Sequence, residues 1–201
     1  VKPLSRDDVA RCRAFLERGE VPLETLPKYV GDRQLGDGFW RFFSPAYPTG
    51  GVTSWNAAST WKQAWSMPED AVFAFGEDLF GNQLVIPRES DSAAVWNHES
   101  GELVDLLLPP LELLETCIDS GLDWIDFYTP AVLEVGRVRR GDVPEDSHLH
   151  WTTPLILGGV VVPSNTSVVE RRAHLLGHAD LWRQLAGLDP GTAVVIKPTP
   201  S

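Results

Sequence analysis

The strongest constraint on this chain is a run of four short apolar segments set so close together that only hairpins can join them. Ala71-Val-Phe-Ala-Phe75, Gln83-Leu-Val-Ile86, Ala93-Ala-Val-Trp96 and Glu102-Leu-Val-Asp105 have the length and residue types of strands. The links Gly76–Asn82, Pro87–Ser92 and Asn97–Gly101 are rich in turn formers. A parallel crossover needs about a dozen residues or more, so the four segments are expected to form an antiparallel meander. Gly38-Phe-Trp-Arg-Phe-Phe43 adds a strand upstream, placing the sheet mainly within residues 38–106.

Helices are expected around that sheet. Ser5 caps a stripe of Val9, Cys12, Phe15 and Leu16 that Gly19 closes. A short helix over Ala57–Ser66 places Trp61 and Trp65 on one side. Pro109-Pro110 opens another, with Leu111, Leu114 and Cys117 or Ile118 inward and Gly121 at its end. Residues 1–130 therefore read as an α+β domain, a mainly antiparallel sheet with helices packed on one face. Residues 131–201 read as a small α+β extension, either part of the same domain or separate. Strands are expected over Ala131–Val138 and Thr152–Val162. The capping-box spacing Ser167-Val-Val-Glu170 then predicts a helix carrying Val168, Arg172, Leu175, Ala179 and Trp182 as far as Gly187. A last strand is expected over Thr192–Lys197.

Charge narrows the function classes. The formal net charge is −11, and residues 67–130 hold fourteen acidic side chains against a single basic one, Arg88. No basic block exists to neutralise phosphates, so binding to nucleic acid is not expected. The longest apolar run, Pro154–Pro163, is broken by Gly158-Gly159 and is too short for a bilayer. No leader peptide is read at the start, and Cys12 and Cys117 read as buried thiols of a reducing compartment, so the expected location is cytoplasmic.

Candidate chemistry centres on histidine. His174-Leu-Leu-Gly-His178 sets two imidazoles at the helical spacing that can chelate a metal, and His148-Leu-His150 lies upstream. A catalytic zincin needs Glu directly after the first histidine, and Leu175 stands there instead. The plainer reading is a pair of half-exposed helix histidines. His150-Trp-Thr-Thr-Pro-Leu-Ile-Leu-Gly-Gly159, followed by Asn165 and His174, resembles the strand-loop-helix of HNH nucleases, without their opening Asp-His pair. Glu77-Asp78 and Asp123/Asp126 could serve glycosidase chemistry or calcium, but acid pairs on loops are more often solvated surface. There is no nucleophile elbow, no activated cysteine and no phosphate-binding glycine loop.

From Trp61 to Tyr128 the chain resembles the SUKH superfamily of immunity proteins, whose eukaryotic members include yeast cell-wall assembly regulators. The residues that carry the likeness are Ala71-Val-Phe-Ala-Phe-Gly76, Glu77-Asp-Leu-Phe-Gly-Asn82, Gln83-Leu-Val-Ile86, Val95-Trp-Asn-His-Glu99 and Leu111-Glu-Leu-Leu-Glu-Thr-Cys-Ile118. The chain is also similar to related immunity families that protect bacteria from type VI secretion effectors. The resemblance implies a non-enzymatic module, with no cofactor, metal or catalytic residue, that occupies the active site of a basic toxin domain such as a nuclease. An acidic surface would speed encounter with such a partner. The expected contact residues are Glu77, Asp78, Phe80, Asn82, Trp96, His98, Glu99, Trp124 and Asp126. The alternative is a metal-dependent hydrolase of degenerate HNH type using His148, His150, His174 and His178.

Overall fold

The computed structural model describes residues 2–3, 33–35, 39–43, 48, 51–88, 90, 92–110, 112–113, 128–189, 191–192 and 194. Among them runs a sheet in the order β1 (Lys2–Pro3), β2 (Arg33–Leu35), β3 (Trp40–Phe42), β4 (Val72–Asp78), β5 (Gln83–Pro87), β6 (Ala94–Asn97) and β7 (Glu102–Asp105). Only β1 and β2 pair in parallel, and from β2 to β7 every neighbour is antiparallel. The meander expected from the short links is present, and the fold is α+β.

Strands β3 to β6 bury both faces, because successive residues of a strand point opposite ways. One face sends Phe42, Phe75, Leu84, Ile86 and Val95 into a cluster with Phe39, Phe80, Val135, Leu149 and Trp151. The other sends Val72, Ala74, Val85, Ala94 and Trp96 against Val52, Trp55, Trp61 and Leu175. Trp61 and Trp65 share a side as expected, both rings packing on Trp96 with centroids 4.9 and 4.7 Å away. The helix carrying Val52 and Trp55 is α1 (Gly51–Asn56), which precedes the expected span, and Lys62–Trp65 is a single 3-10 turn. The first cluster draws on residues from both sides of position 130, so the C-terminal extension shares the sheet's core.

Three expectations in the C-terminal part change. Ala131–Val138 is not a strand but lies in α2 (Pro130–Arg139), where Thr129 caps the first turn and Pro130 presets the helical φ. The next strand is β8 (Ser147–Trp151), earlier than expected, and Thr152–Val162 instead holds turns, including the 3-10 turn Leu155–Leu157. Ser167–Glu170 belongs to β9 (Thr166–Glu170), which pairs antiparallel with β8. The helix α3 (Arg171–Leu185) starts after it, with the Glu170 carboxylate accepting from the Arg172 and Ala173 amides. Helix 5–19, most of the helix after Pro110 and most of the final strand lie outside the described residues. No helix among the described residues is long and apolar enough to cross a membrane.

The small sheet is tied to the large one by polar contacts. The buried Arg41 guanidinium on β3 donates to the carbonyls of Pro144 and Glu145, just ahead of β8, and of Ser147, its first residue. The Leu149 amide donates to Leu79 O at 2.8 Å, and Arg171 N donates to Asp146 O at 2.9 Å. The Leu149 bond holds β8 against the β4–β5 turn, Arg41 holds the segment leading into β8 against β3, and the Arg171 bond ties the start of α3 to that segment.

Candidate metal centre

The chain has five histidines, and the fold brings all of them together. His148 and His150 stand two apart on β8, so they share a face of that strand. His174 and His178 stand four apart on α3 and project from one side of the helix. His98 follows β6 in the turn to β7. Its ring lies 4.8 Å from that of His174 and 4.5 Å from that of His178, centroid to centroid. His150 lies 5.0 Å from His174. His98, His148, His174 and His178 are buried, and His150 is half-buried.

Two carboxylates behind the rings set which nitrogen bears the proton. Glu77, on β4, meets His148 Nε2 at 3.0 Å and also receives Arg171 Nε at 2.8 Å. Burial alone would raise the Glu77 carboxyl, but Arg171, His148 and Arg41 outweigh it and hold it at about 2. Glu77 is therefore ionised, Nε2 of His148 is the donor, and Nδ1 of His148 faces the cluster as a lone pair. Nδ1 of His174 lies 3.2 Å from that lone pair. As its donor, it leaves Nε2 of His174 a bare acceptor.

The second relay reaches His98. Asn82 Nδ2 donates to Asp78 Oδ2 at 2.8 Å, which fixes the amide so that Oδ1 faces His98. Nδ1 of His98 then donates to Asn82 Oδ1 at 2.9 Å. Tyr128 Oη also donates to Asp78. The Asp78 carboxyl is pushed up to about 6 by burial, against the hydrogen bonds from Tyr128, Asn82 and Phe80. With Nδ1 of His98 occupied, its Nε2 is the lone pair. Both Nε2 atoms, of His98 and His174, are buried without a hydrogen-bond partner. Buried nitrogens of this kind are seldom left unpaired in native proteins.

Desolvation keeps the imidazoles neutral. Burial, aided by the neighbouring rings, drives His98 and His174 well below the ordinary histidine value and His178 down to about 4. Burial also lowers His148, with Glu77 opposing, and lowers His150. Neutral imidazole is the form that ligates a metal.

Nitrogens of His98, His174 and His178 all lie within 4.8 Å of one another. Tetrahedral zinc, with Zn–N of about 2.0–2.1 Å, places its nitrogens about 3.3 Å apart, so small ring rotations close the site. The Asn82 amide behind His98 and the His148 ring behind His174, itself held by Glu77, supply the outer shell that such ligands ordinarily have. Gly81 makes the close approach of β8 and α3 possible. It sits at φ +96, and a Cβ there would lie 2.8 Å from Nδ1 of His148 and 3.0 Å from Nδ1 of His174. The turn around it is braced by Gln83, whose amide donates to Gly81 O and accepts from Trp55 Nε1.

His150, His174 and His178 also line a cavity of about 500 Å³. Its other walls are largely aliphatic, with Leu157, Val169 and Leu181, and Thr152 and Thr153 supply hydroxyls.

Six of the nine expected partner-binding residues do not lie on a surface. Glu77, Asp78, Phe80, Asn82, Trp96 and His98 are buried, which corrects their reading as an exposed acidic face. The loop spacing that suggested solvent instead folds inward, because Asp78 accepts from the amides of Phe80 and Asn82 and tightens the turn. Phe80 stacks on Trp151 with centroids 4.9 Å apart. Glu99 is half-buried, and burial pushes its carboxyl up to about 7. Trp124 and Asp126 lie outside the described residues. The reading of His174 and His178 as half-exposed also changes, since both are buried. Sequence spacing brought out four of the five histidines as possible ligands. His98 was missed because only the β6–β7 turn carries it to the others.

No family model matches the chain, and no curated protein matches it. Among solved structures it is similar to Atu4351 from Agrobacterium tumefaciens, at 17% sequence identity and a TM-score of 0.52. The match covers 89% of this chain and 81% of that one. At this identity the likeness concerns the fold alone.

Proposed function

We propose that this chain is a transition-metal-binding protein of the zinc class, with the ion held by Nε2 of His98, Nε2 of His174 and a ring nitrogen of His178. The observation that carries the reading is the pair of buried Nε2 atoms without partners, each on a ring whose other nitrogen is engaged. All-nitrogen ligation suits zinc, copper or nickel better than magnesium or calcium. Three protein ligands beside a cavity are the arrangement of a site that keeps a position open for a further ligand. The test is metal analysis and calorimetric zinc titration of protein prepared without a histidine tag. One tightly bound ion per chain is expected, lost in His98→Gln and in His174→Gln. Sub-stoichiometric metal, or binding that survives both substitutions, overturns the reading.

A second reading keeps the protein-binding role. What supports it is β7, which ends the sheet among the described residues and has every side chain exposed. Leu103 is 48% exposed and Leu107 79%, beside the exposed acids Glu102 and Asp105. An apolar edge flanked by carboxylates fits a basic protein partner, such as a toxin domain neutralised by an immunity protein. Association with a basic toxin domain of the nuclease kind, with an on-rate that falls as salt rises, is expected on this reading. Absence of a complex at low salt overturns it.

A further inference from the structure

The cavity beside the histidines has a chemical character that narrows what it can accept. Its walls are Pro154, Leu157, Val169 and Leu181, with the hydroxyls of Thr152 and Thr153 and the rings of His150, His174 and His178. No lysine, arginine, aspartate or glutamate lines it. A ligand with a charged or strongly polar head would find no counter-charge among these side chains, and its body would meet mostly hydrocarbon. The histidine end is the exception, because two of the proposed ligands, His174 and His178, form that wall.

Gly177 supports the same conclusion independently. It lies within α3 between the two histidines, where glycine weakens a helix relative to alanine. Its conformation is not the left-handed kind that requires glycine, and a Cβ built there meets nothing within 4 Å. Packing therefore gives no reason for the missing side chain. Gly177 is itself part of the cavity wall beside His174 and His178, so its bareness leaves that stretch of wall without a side chain.

We propose that this cavity seats a small, mainly apolar molecule whose single metal-binding head, such as a carboxylate, hydroxamate or thiolate, takes the open position of an ion held by His98, His174 and His178. Gly177 is the gap through which the head reaches the ion. The hydrocarbon body lies along Leu157, Val169 and Leu181, and Thr152 and Thr153 are the hydrogen-bonding groups within the walls. The inference rests on the metal-binding reading above, and its test separates the two.

The whole chain is loaded with cobalt(II), whose visible spectrum reports its ligands, and titrated with straight-chain alkyl hydroxamates of increasing length. Each hydroxamate is expected to shift the cobalt bands. Affinity is expected to rise by up to about fourfold per added methylene until the cavity is full, the increment for moving a CH2 from water to hydrocarbon. Gly177→Phe, which fills the approach from a position with free space around it, is expected to keep cobalt bound at one ion per chain. The same substitution should weaken the longer hydroxamates at least tenfold. Failure of cobalt to bind overturns the metal reading and this inference with it. Cobalt binding with bands that no hydroxamate moves overturns the inference alone, and so does an affinity indifferent both to chain length and to Gly177→Phe.

Discussion

Glu77 and His148 meet at 3.0 Å with both side chains fully buried, and this contact fixes the proton on the cluster's outer nitrogen. Glu77→Gln keeps the shape but removes the charge. It also leaves the buried Arg171 guanidinium without its carboxylate, at a cost of about 3–5 kcal/mol, the range for breaking a buried ion pair. Zinc affinity is expected to fall by about tenfold, the low end for outer-shell losses, because Glu77 reaches the ligand His174 only through His148. Urea unfolding reads the first effect, and competition with a chromophoric chelator reads the second.

Gly81→Ala introduces a methyl group where His148 and His174 come together, in a backbone conformation that L side chains rarely adopt. The rings must separate, so zinc binding should be lost or weakened at least tenfold, and stability should fall by about 1–3 kcal/mol. A Gly81→Ala protein that binds zinc as tightly as the parent would show that the close approach of these two rings is not needed.

Acid should destabilise the metal-free protein. An unfolded histidine titrates near pH 6.5, whereas His178 in the fold titrates at about 4 and His98 and His174 lie well below the ordinary value. The stability linked to these groups is fully present above pH 6.5 and is lost as the pH falls toward 4, because the unfolded chain takes up protons that the fold refuses. Asp78 at about 6 and Glu99 at about 7 act in the opposite sense, since the fold protonates them before the unfolded chain does. Five depressed histidines outnumber two raised carboxyls, so the net slope is expected to favour higher pH. Urea midpoints between pH 7.5 and 4.5 check this, and a flat profile would contradict the neutral cluster.

Glu170→Ala removes the carboxylate that accepts from the Arg172 and Ala173 amides at the start of α3. A loss of about 1 kcal/mol is expected in thermal or urea unfolding, the usual figure for a lost N-cap. Zinc affinity should change little, since Glu170 does not contact the rings. A large fall in affinity would mean that α3 owes its position to this cap.

Much of the sheet could be read from residues alone, because β4 to β7 combine strand residues with links too short for a crossover. The C-terminal errors have specific causes. The valines of Ala131–Val138 suggested a strand, but Thr129-Pro130 is a helix-opening pair and its cap prevailed. Ser167 sat at capping-box spacing from Glu170, yet pairing with β8 claimed that segment, and Glu170 became the cap. The helical spacing of His174 and His178 was visible in the sequence. The inward turn of Glu77, Asp78 and Asn82 was not, because it depends on Arg171, Tyr128 and His98, which are distant in the chain.

The join between Glu77 and Arg171 spans 94 residues, and it has a consequence for the order of assembly during synthesis. The meander that carries Glu77 leaves the ribosome well before the helix that carries its guanidinium. Until then the Glu77 carboxylate has Arg41 on β3 nearby but lacks Arg171, its strongest cationic neighbour, so closing the β4–β5 corner around a charged Glu77 is costlier. The corner around Glu77 is therefore expected to seal only once α3 has been made. A stop codon anywhere ahead of Arg171 should therefore yield an aggregation-prone fragment in place of a smaller working domain.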